Sequence, residues 1–229
     1  LRGVFVTGTG TEVGKSVVAA AIANTLALAG REVAVFKPAV TGLDEPGEPD
    51  HALLRRASNS RQGDEEIAPY RYGPPASPHL AAELAGEQIE PDQLRAAVAA
   101  AAGSSELLVC EGVGGLLVPL AWRLCNPLGD KGATPYLVRD FAVDLALPLV
   151  IAATPDLGTI NHTLLTIEAA RSAGLEVAAV VLTPWPDRPN RIEESNRETI
   201  ASLGEVEVRV LPHLDLEDPK SWPPLQLSL

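Results

Sequence analysis

The sequence is poor in cations and nearly devoid of sulfur. It carries 18 Lys and Arg against 30 Asp and Glu, a formal net charge of −12, and so lacks the basic surface that nucleic acid or anionic lipid selects. Small-molecule chemistry fits such a chain better. Only two cysteines occur, Cys110 in an apolar run and Cys125 in a loop-like stretch. With no second pair, they build neither a disulfide framework nor a metal site and read as reduced structural thiols. No basic leader with an apolar signal segment is present, nor any apolar run of membrane length, which predicts a cytoplasmic protein with no membrane partner. Internal repeats and low-complexity linkers are also missing. The 229 residues read as one domain, 1–229, with the proline-rich stretch 212–229 as a surface tail.

What is present is concentrated near the start. Gly3-Val4-Phe5-Val6 is a short apolar run, Thr7 to Gly14 is rich in glycine and threonine, and Gly14-Lys15-Ser16 opens an alanine-rich helical stretch. Strand, loop and helix in that order make a phosphate-binding P-loop. Glycines let backbone N–H groups curl around phosphate oxygens, the helix start adds positive potential, Lys15 supplies a point charge, and the Ser16 hydroxyl reaches Mg²⁺. The spacing is one residue long: Gly8 and Gly14 enclose five residues where four are usual. A dinucleotide fingerprint is excluded, because it has two residues between its last two glycines and no lysine here, whereas Gly10 and Gly14 enclose three.

Further along, Ser16 to Ala29 is apolar nearly all round, a helix buried on a sheet and ended by Gly30. Val33 to Lys37 is a buried strand that delivers Lys37 at its carboxyl end, so Lys37 to Gly42 is a candidate phosphate or substrate contact. Asp50 precedes a short helix, His51 to Ala57, and reads equally as its cap or as a Mg²⁺ ligand. Ile67 to Pro78 reads as a loop, Leu80 to Gly86 and Asp92 to Ala102 as helices. Leu107 to Cys110 is a strand, and Glu111-Gly112-Val113-Gly114-Gly115 at its tip places an acid as a Walker B residue stands. Ala121 to Ala133 is read as irregular, and Thr134 to Leu145 as a helix with Thr134 as N-cap and Pro135 in the first position. Leu147 to Ala153 is a strand leading through Gly158 into a helix ending at Ala173, whose N-terminus suits an anion; His162 on it reads as a packing or surface residue. Val177 to Leu182, Arg188 to Leu203 and Val206 to Leu211 complete a strand, helix, strand series. Strand and helix alternate throughout, so the expected fold class is α/β: a doubly wound, mostly parallel sheet in a three-layer αβα arrangement of the P-loop NTPase kind.

From Val6 to about Leu214 these residues resemble dethiobiotin synthetase, the ATP-dependent ligase that closes the ureido ring late in biotin biosynthesis. The resemblance rests on Gly8 to Ser16 with its extra residue, Lys37-Pro38 with Thr41-Gly42, Ser77-Pro78-His79, Glu111 to Gly115, and Leu157 to His162. It implies 7,8-diaminopelargonic acid, CO₂ and ATP or another nucleoside triphosphate as substrates, Mg²⁺ as cofactor, and a homodimer with active sites at the subunit interface. Nucleotide contacts are implied at Glu12, Val13, Gly14, Lys15, Ser16 and Val17, at Asp50, at Glu111, Gly112, Val113 and Gly114, and on the base side at Thr183, Pro184, Pro212, His213 and Leu214. Ser16, Asp50 and Glu111 are the implied metal ligands, and Lys37, Lys15 and Thr11 the implied catalytic residues. Substrate contacts are implied at Thr11, Lys37, Thr41 and Pro78 and at Gly158, Thr159, Ile160 and Asn161 of the partner. Thr183-Pro184 stands where many members carry an adenine-reading asparagine, which predicts loose discrimination among nucleotides. The alternative is a ParA/MinD-like nucleotide-switch ATPase; that group carries an extra lysine early in the loop, where this chain has Gly8, Thr9 and Gly10.

Overall fold

The computed structural model describes residues 1–103, 105–123 and 134–227. The chain runs β1 (Gly3–Gly8), α1 (Lys15–Leu28), β2 (Val33–Phe36), β3 (Ala39–Val40), α2 (Asp50–Ser58), α3 (Asp64–Ile67), β4 (Tyr70–Arg71), α4 (Pro78–Leu84) and α5 (Pro91–Ala102). It continues with β5 (Leu107–Gly115), β6 (Pro119–Arg123), β7 (Thr134–Leu137), α6 (Val138–Leu145), β8 (Leu149–Ala153), α7 (Thr159–Ser172), β9 (Val177–Trp185), α8 (Arg191–Gly204) and β10 (Glu207–Pro212), then a 3-10 turn at Pro219–Ser221.

Apolar runs without polar alternation suit strands covered on both faces. Six of them form one parallel sheet in the order β10-β9-β8-β1-β5-β2. From β1 the chain goes to the edge strand β2, returns to β5 between them, and then winds outward on the other side through β8, β9 and β10, so the expected doubly wound α/β sheet is present, and its switch point lies beside β1, where ligand crevices form at the strand tips. Alternation along each strand divides the core. Val4, Val6, Val35 and Val109 face α1 and α2, while Phe5, Phe36, Cys110 and Ile151 face α4, α5, α6, α7 and α8. The apolar circumference of α1 follows from its position: Val18 to Ala23 are no more than 2% exposed, because the sheet lies on one side and α2 with the C-terminal segment on the other. Cys110 is buried and free, and burial raises its thiol pKa; Cys125 lies outside the described residues.

Several expectations give way to longer-range pairing. The strand expected to stop at Cys110 continues as β5 to Gly115, because Gly8 pairs with Gly115 and neighbours crowd the glycines. A Cβ at Gly112 would stand 3.0 Å from Phe5 and Val138, and one at Gly114 2.8 Å from Val118. The expected helix from Thr134 is a strand in its first four residues: β7 pairs antiparallel with β6, Tyr136 is fully buried, and α6 begins only at Val138. Leu137, not Thr134, holds the N-cap position, its N–H donating to Asp140 Oδ2 at 3.0 Å. The stretch read as irregular from Ala121 therefore begins inside β6; its residues 124–133 lie outside the described residues. Tyr70 and Arg71, read as loop, pair with Ala39 and Val40. The helix expected from Arg188 begins at Arg191 behind Asn190, whose Oδ1 accepts from Ile192 N at 2.7 Å.

The segment after Pro212 is not a surface tail. Leu214, Trp222 and Leu225 are 5%, 5% and 6% exposed and pack on the α1 side of the sheet. Asn24 Nδ2 donates to the Pro219 carbonyl at 2.8 Å, and the Leu225 N–H donates to Thr25 Oγ1 at 2.9 Å. Isolated apolar residues among prolines have neither helical nor strand period, so composition alone reads as surface. Trp222→Ala is expected to lower the stability to unfolding by about 3 kcal/mol, measured as a shift in the urea midpoint. A loss below about 0.5 kcal/mol, the range of an uninvolved surface site, would return the segment to a tail.

Candidate active site

The P-loop is shaped by close approach at two glycines. Gly14 sits at φ 82° as the N-cap of α1, a left-handed conformation that costs a side chain energy. A Cβ there would also stand 2.6 Å from Thr183 Cγ2, and one at Gly8 would stand 2.6 Å from Val13 Cγ2 and 2.7 Å from Lys15 Cγ. The loop thus folds over its own Val13 and Lys15 while β9 closes behind it. Glu12 also takes a left-handed conformation, at φ 59°. The first-turn N–H groups of α1 have no intrahelical partner and carry the helix's positive end. Lys15 is buried at 8% exposure, and its Nζ donates to the Gly10 carbonyl at 2.7 Å; burial holds the ammonium below its ordinary pKa.

Four elements converge under this loop. Ser16 from α1 stands 2.7 Å from Asp50 Oδ1 and 2.8 Å from Glu111 Oε1. Lys37, just past β2, donates to Asp50 Oδ2 at 2.6 Å and to Glu111 Oε1 at 2.5 Å. The cap reading of Asp50 does not hold: it is the first residue of α2, Pro49 holds the N-cap place without a side-chain bond, and the Asp50 carboxylate turns to Ser16 and Lys37. Burial pushes Lys37 down, but Glu111 and Asp50 outweigh it and hold the ammonium above its ordinary 10.5. For Asp50, burial is outweighed by Lys37 and the Ser16 hydroxyl, so its carboxyl stays below the ordinary range. Glu111 has no solvent exposure, and its Oε2 lacks a hydrogen-bond partner; burial holds its pKa above the ordinary value even against Lys37.

Lys37 and the nearby Lys15 balance the two carboxylates in charge, but Glu111 Oε2 keeps no hydrogen-bond partner. Among the described residues no group of three or more His, Cys, Asp or Glu side chains gathers to hold a metal. Ser16, Asp50 and Glu111 instead offer a partial shell of hard oxygen donors, the kind a small cation completes with water and phosphate oxygens.

Two cavities open on either side of the loop. The first, about 450 Å³, is lined by Gly8, Thr9, Gly10 and Thr11, by Leu117 and Val118 after β5, and by His162 and Leu165 of α7. The second, about 670 Å³, gathers Glu12, Gly14 and Val17 with Thr183, Pro184, Pro212, His213 and Leu214, and adds Asp215 and Leu216. The base-side residues expected from the sequence therefore meet in one place. Asp215 and Leu216 were not legible, since no motif marks them; His162 is exposed, as its surface reading expects, and lines the first cavity beside the P-loop. Val13 packs beneath Gly8, and Gly112 and Gly114 are crowded by side chains across β5. Thr41, just past β3, and Pro78, the buried first residue of α4, lie outside both cavity walls. So do Gly158, Thr159, Ile160 and Asn161 at the α7 start, where the Thr159 N–H is already used by Asp156 O at 3.1 Å.

Lys37→Met is expected to leave Glu111 and Asp50 without their cation and to cost about 3–5 kcal/mol of stability, measured by denaturation in a chelator. The Lys37 pKa is raised on folding, so its contribution is complete below 10.5 and disappears as pH climbs through the higher folded value. The stability gap between wild type and variant should stay level through neutral pH and close only in strong alkali; a gap that closes near pH 7 would show that Lys37 is not held as a cation.

The family described as an AAA domain matches residues 2–221. The ATP-dependent dethiobiotin synthetase BioD of Bacillus subtilis (strain 168) is 35% identical over 204 residues, which cover 89% of this chain and 83% of the relative. The same-named protein of Rhodococcus erythropolis is 38% identical over 203 residues, 88% of this chain and 84% of the relative. That of Anaeromyxobacter dehalogenans reaches 42% over 183 residues, 80% of this chain and 76% of the relative. Similarity of this extent, over a P-loop with one extra residue and an acid within β5, has one reading: the chain belongs to the dethiobiotin synthetase family.

Proposed function

We propose that this protein is an ATP- and Mg²⁺-dependent ligase that closes the ureido ring of dethiobiotin from 7,8-diaminopelargonic acid and CO₂. The observation that carries the reading is the cluster under the P-loop, where Ser16 and Lys37 meet Asp50 and Glu111 within 2.5 to 2.8 Å. Ser16, Asp50 and Glu111 would hold Mg²⁺, and the all-oxygen donor set with a spare Glu111 Oε2 fits it. When bound, the ion neutralises phosphate charge.

One amine of the substrate adds to CO₂ and loses a proton, giving a carbamate. A carbamate oxygen attacks the γ-phosphorus as the bond to the nucleoside diphosphate breaks. The second amine then attacks the carbonyl carbon of the mixed anhydride and phosphate leaves, closing the ring. Such chemistry needs positioning and charge neutralisation more than covalent help. Lys15 and Lys37 supply the cations for the transferred phosphoryl group, Thr11 and Thr41 bond the carbamate or amines, and Pro78 packs beside the substrate. Val13 and the backbone of Gly112, Val113 and Gly114 hold the nucleotide's surroundings. Gly158, Thr159, Ile160 and Asn161 receive the substrate carboxylate from the second subunit of a homodimer. Leu117, Leu157 and Leu165, at 58%, 93% and 56% exposure, are apolar side chains that a second copy would cover. Among the described residues no helix is long and apolar enough to cross a membrane, and we take the site of action to be the cytoplasm.

Phosphate release in the presence of Mg²⁺ and bicarbonate should depend on 7,8-diaminopelargonic acid and yield a product with the mass of dethiobiotin. Release indifferent to the diamine would favour a nucleotide switch of the ParA/MinD kind. Because the base-side wall offers Thr183 and Pro184 rather than an amide side chain, ATP should outcompete CTP and GTP by less than about tenfold, the scale of one hydrogen bond. A preference well above that would show that the backbone and the Pro212 to Leu216 wall read the base instead.

A further inference from the structure

We infer that Arg56 is a positioning residue for nucleotide recognition, holding the outer wall of the 670 Å³ cavity and tying it to the helix that begins with Asp50. This rests on reading that cavity as the base site. Its outer wall, Asp215 and Leu216, lies beyond the end of β10 and has no strand or helix to hold it. Its backbone carbonyls are held by side chains, that of Asp215 also by the Asp218 N–H at 3.2 Å. Trp222 Nε1 donates to the Asp215 carbonyl at 2.6 Å, and Arg56 Nη1 donates to the Leu216 carbonyl.

Arg56 is suited to this task because its guanidinium is itself fixed. Nη2 and Nε donate to the two oxygens of Glu48 at 2.5 and 3.2 Å, a forked arrangement that sets the plane of the group and leaves Nη1 for the wall. Glu48 lies two residues before Asp50. The approach to α2 is thus held by the Asp50 bonds to Ser16 and Lys37 at the phosphate side, and by the Glu48 clamp on Arg56 at the base side. Arg56 is absent from the cavity lining, so its effect on a nucleotide passes through Leu216.

A residue that shapes only the base-side wall should affect a nucleotide but not a bare polyphosphate. In calorimetric titrations with Mg²⁺, Arg56→Gln is expected to weaken a non-hydrolysable ATP analogue about tenfold while inorganic tripolyphosphate stays within about twofold of wild type. Arg56→Lys, which keeps one donor but loses the fork, should fall between. In turnover, KM for ATP should rise in step while kcat stays within about twofold. Unchanged analogue affinity would overturn the inference, and so would an equal loss for both ligands, which marks a general disturbance of the fold. Should Arg56→Gln not fold, Glu48→Gln leaves the arginine in place, loosens the clamp, and carries the same comparison with a smaller expected loss. Absence of diamine-dependent turnover with analogue binding as expected would strike the proposed function and leave this inference standing.

Discussion

A carboxylate cut off from water must find its compensation inside the protein, and in this chain that carboxylate is Glu111. The Lys37 ammonium lies 2.5 Å from it and the Ser16 hydroxyl 2.8 Å, and the architecture exists in the form needed to make those contacts. β2 pairs with β5 so that Phe36 stands opposite Cys110. The next residues are then Lys37, just past the end of β2, and Glu111, still within β5 and paired with Val6, so the two stand side by side. Asp50 arrives on a separate helix and supplies the second carboxylate. Burial of the group costs several kcal/mol that its partners only partly offset, so the cluster is better understood as a preset arrangement of oxygen donors and cations beside the phosphate loop than as a source of stability.

The P-loop divides the ligand space. Thr9, Gly10 and Thr11 line one cavity and Glu12, Gly14 and Val17 the other, with the left-handed turn at Glu12 between the two sets. Lys15, folded back on the Gly10 carbonyl, sits at the partition.

The parts of the site that follow from local geometry are legible in the sequence. Gly14, Lys15 and Ser16 announce themselves because a strand tip, a left-handed glycine and a helix start are a contiguous pattern, and Lys37 does so because strand ends point at the crevice. Asp50 is not legible in the same way. Whether it caps its helix or faces the loop depends on where α2 lies against α1, which no neighbouring residue records. The same limit hid β7, since Thr134-Pro135 looks like a helix start until β6 is present to pair with it. Gly112 and Gly114 read as residues beyond a strand tip, yet the crowding by Phe5, Val138 and Val118 makes them positions of close packing within a strand. Asp215 and Leu216 carry no recognisable chemistry, and their role comes from Arg56, 160 residues away in the chain, and from Trp222, seven residues beyond Asp215.

The strand order also bears on how the molecule comes into being. β1, which ends in the P-loop, is hydrogen-bonded to β5 and β8, and Ser16 meets a glutamate 95 residues further on. Such distant pairings form late and slowly, because the entropy of closing long loops is lost before any contact compensates. Partly folded chains will therefore have the loop's sequence but not its shape. Nucleotide will distinguish the finished protein from every intermediate, drawing the population toward the native state in proportion to its occupancy.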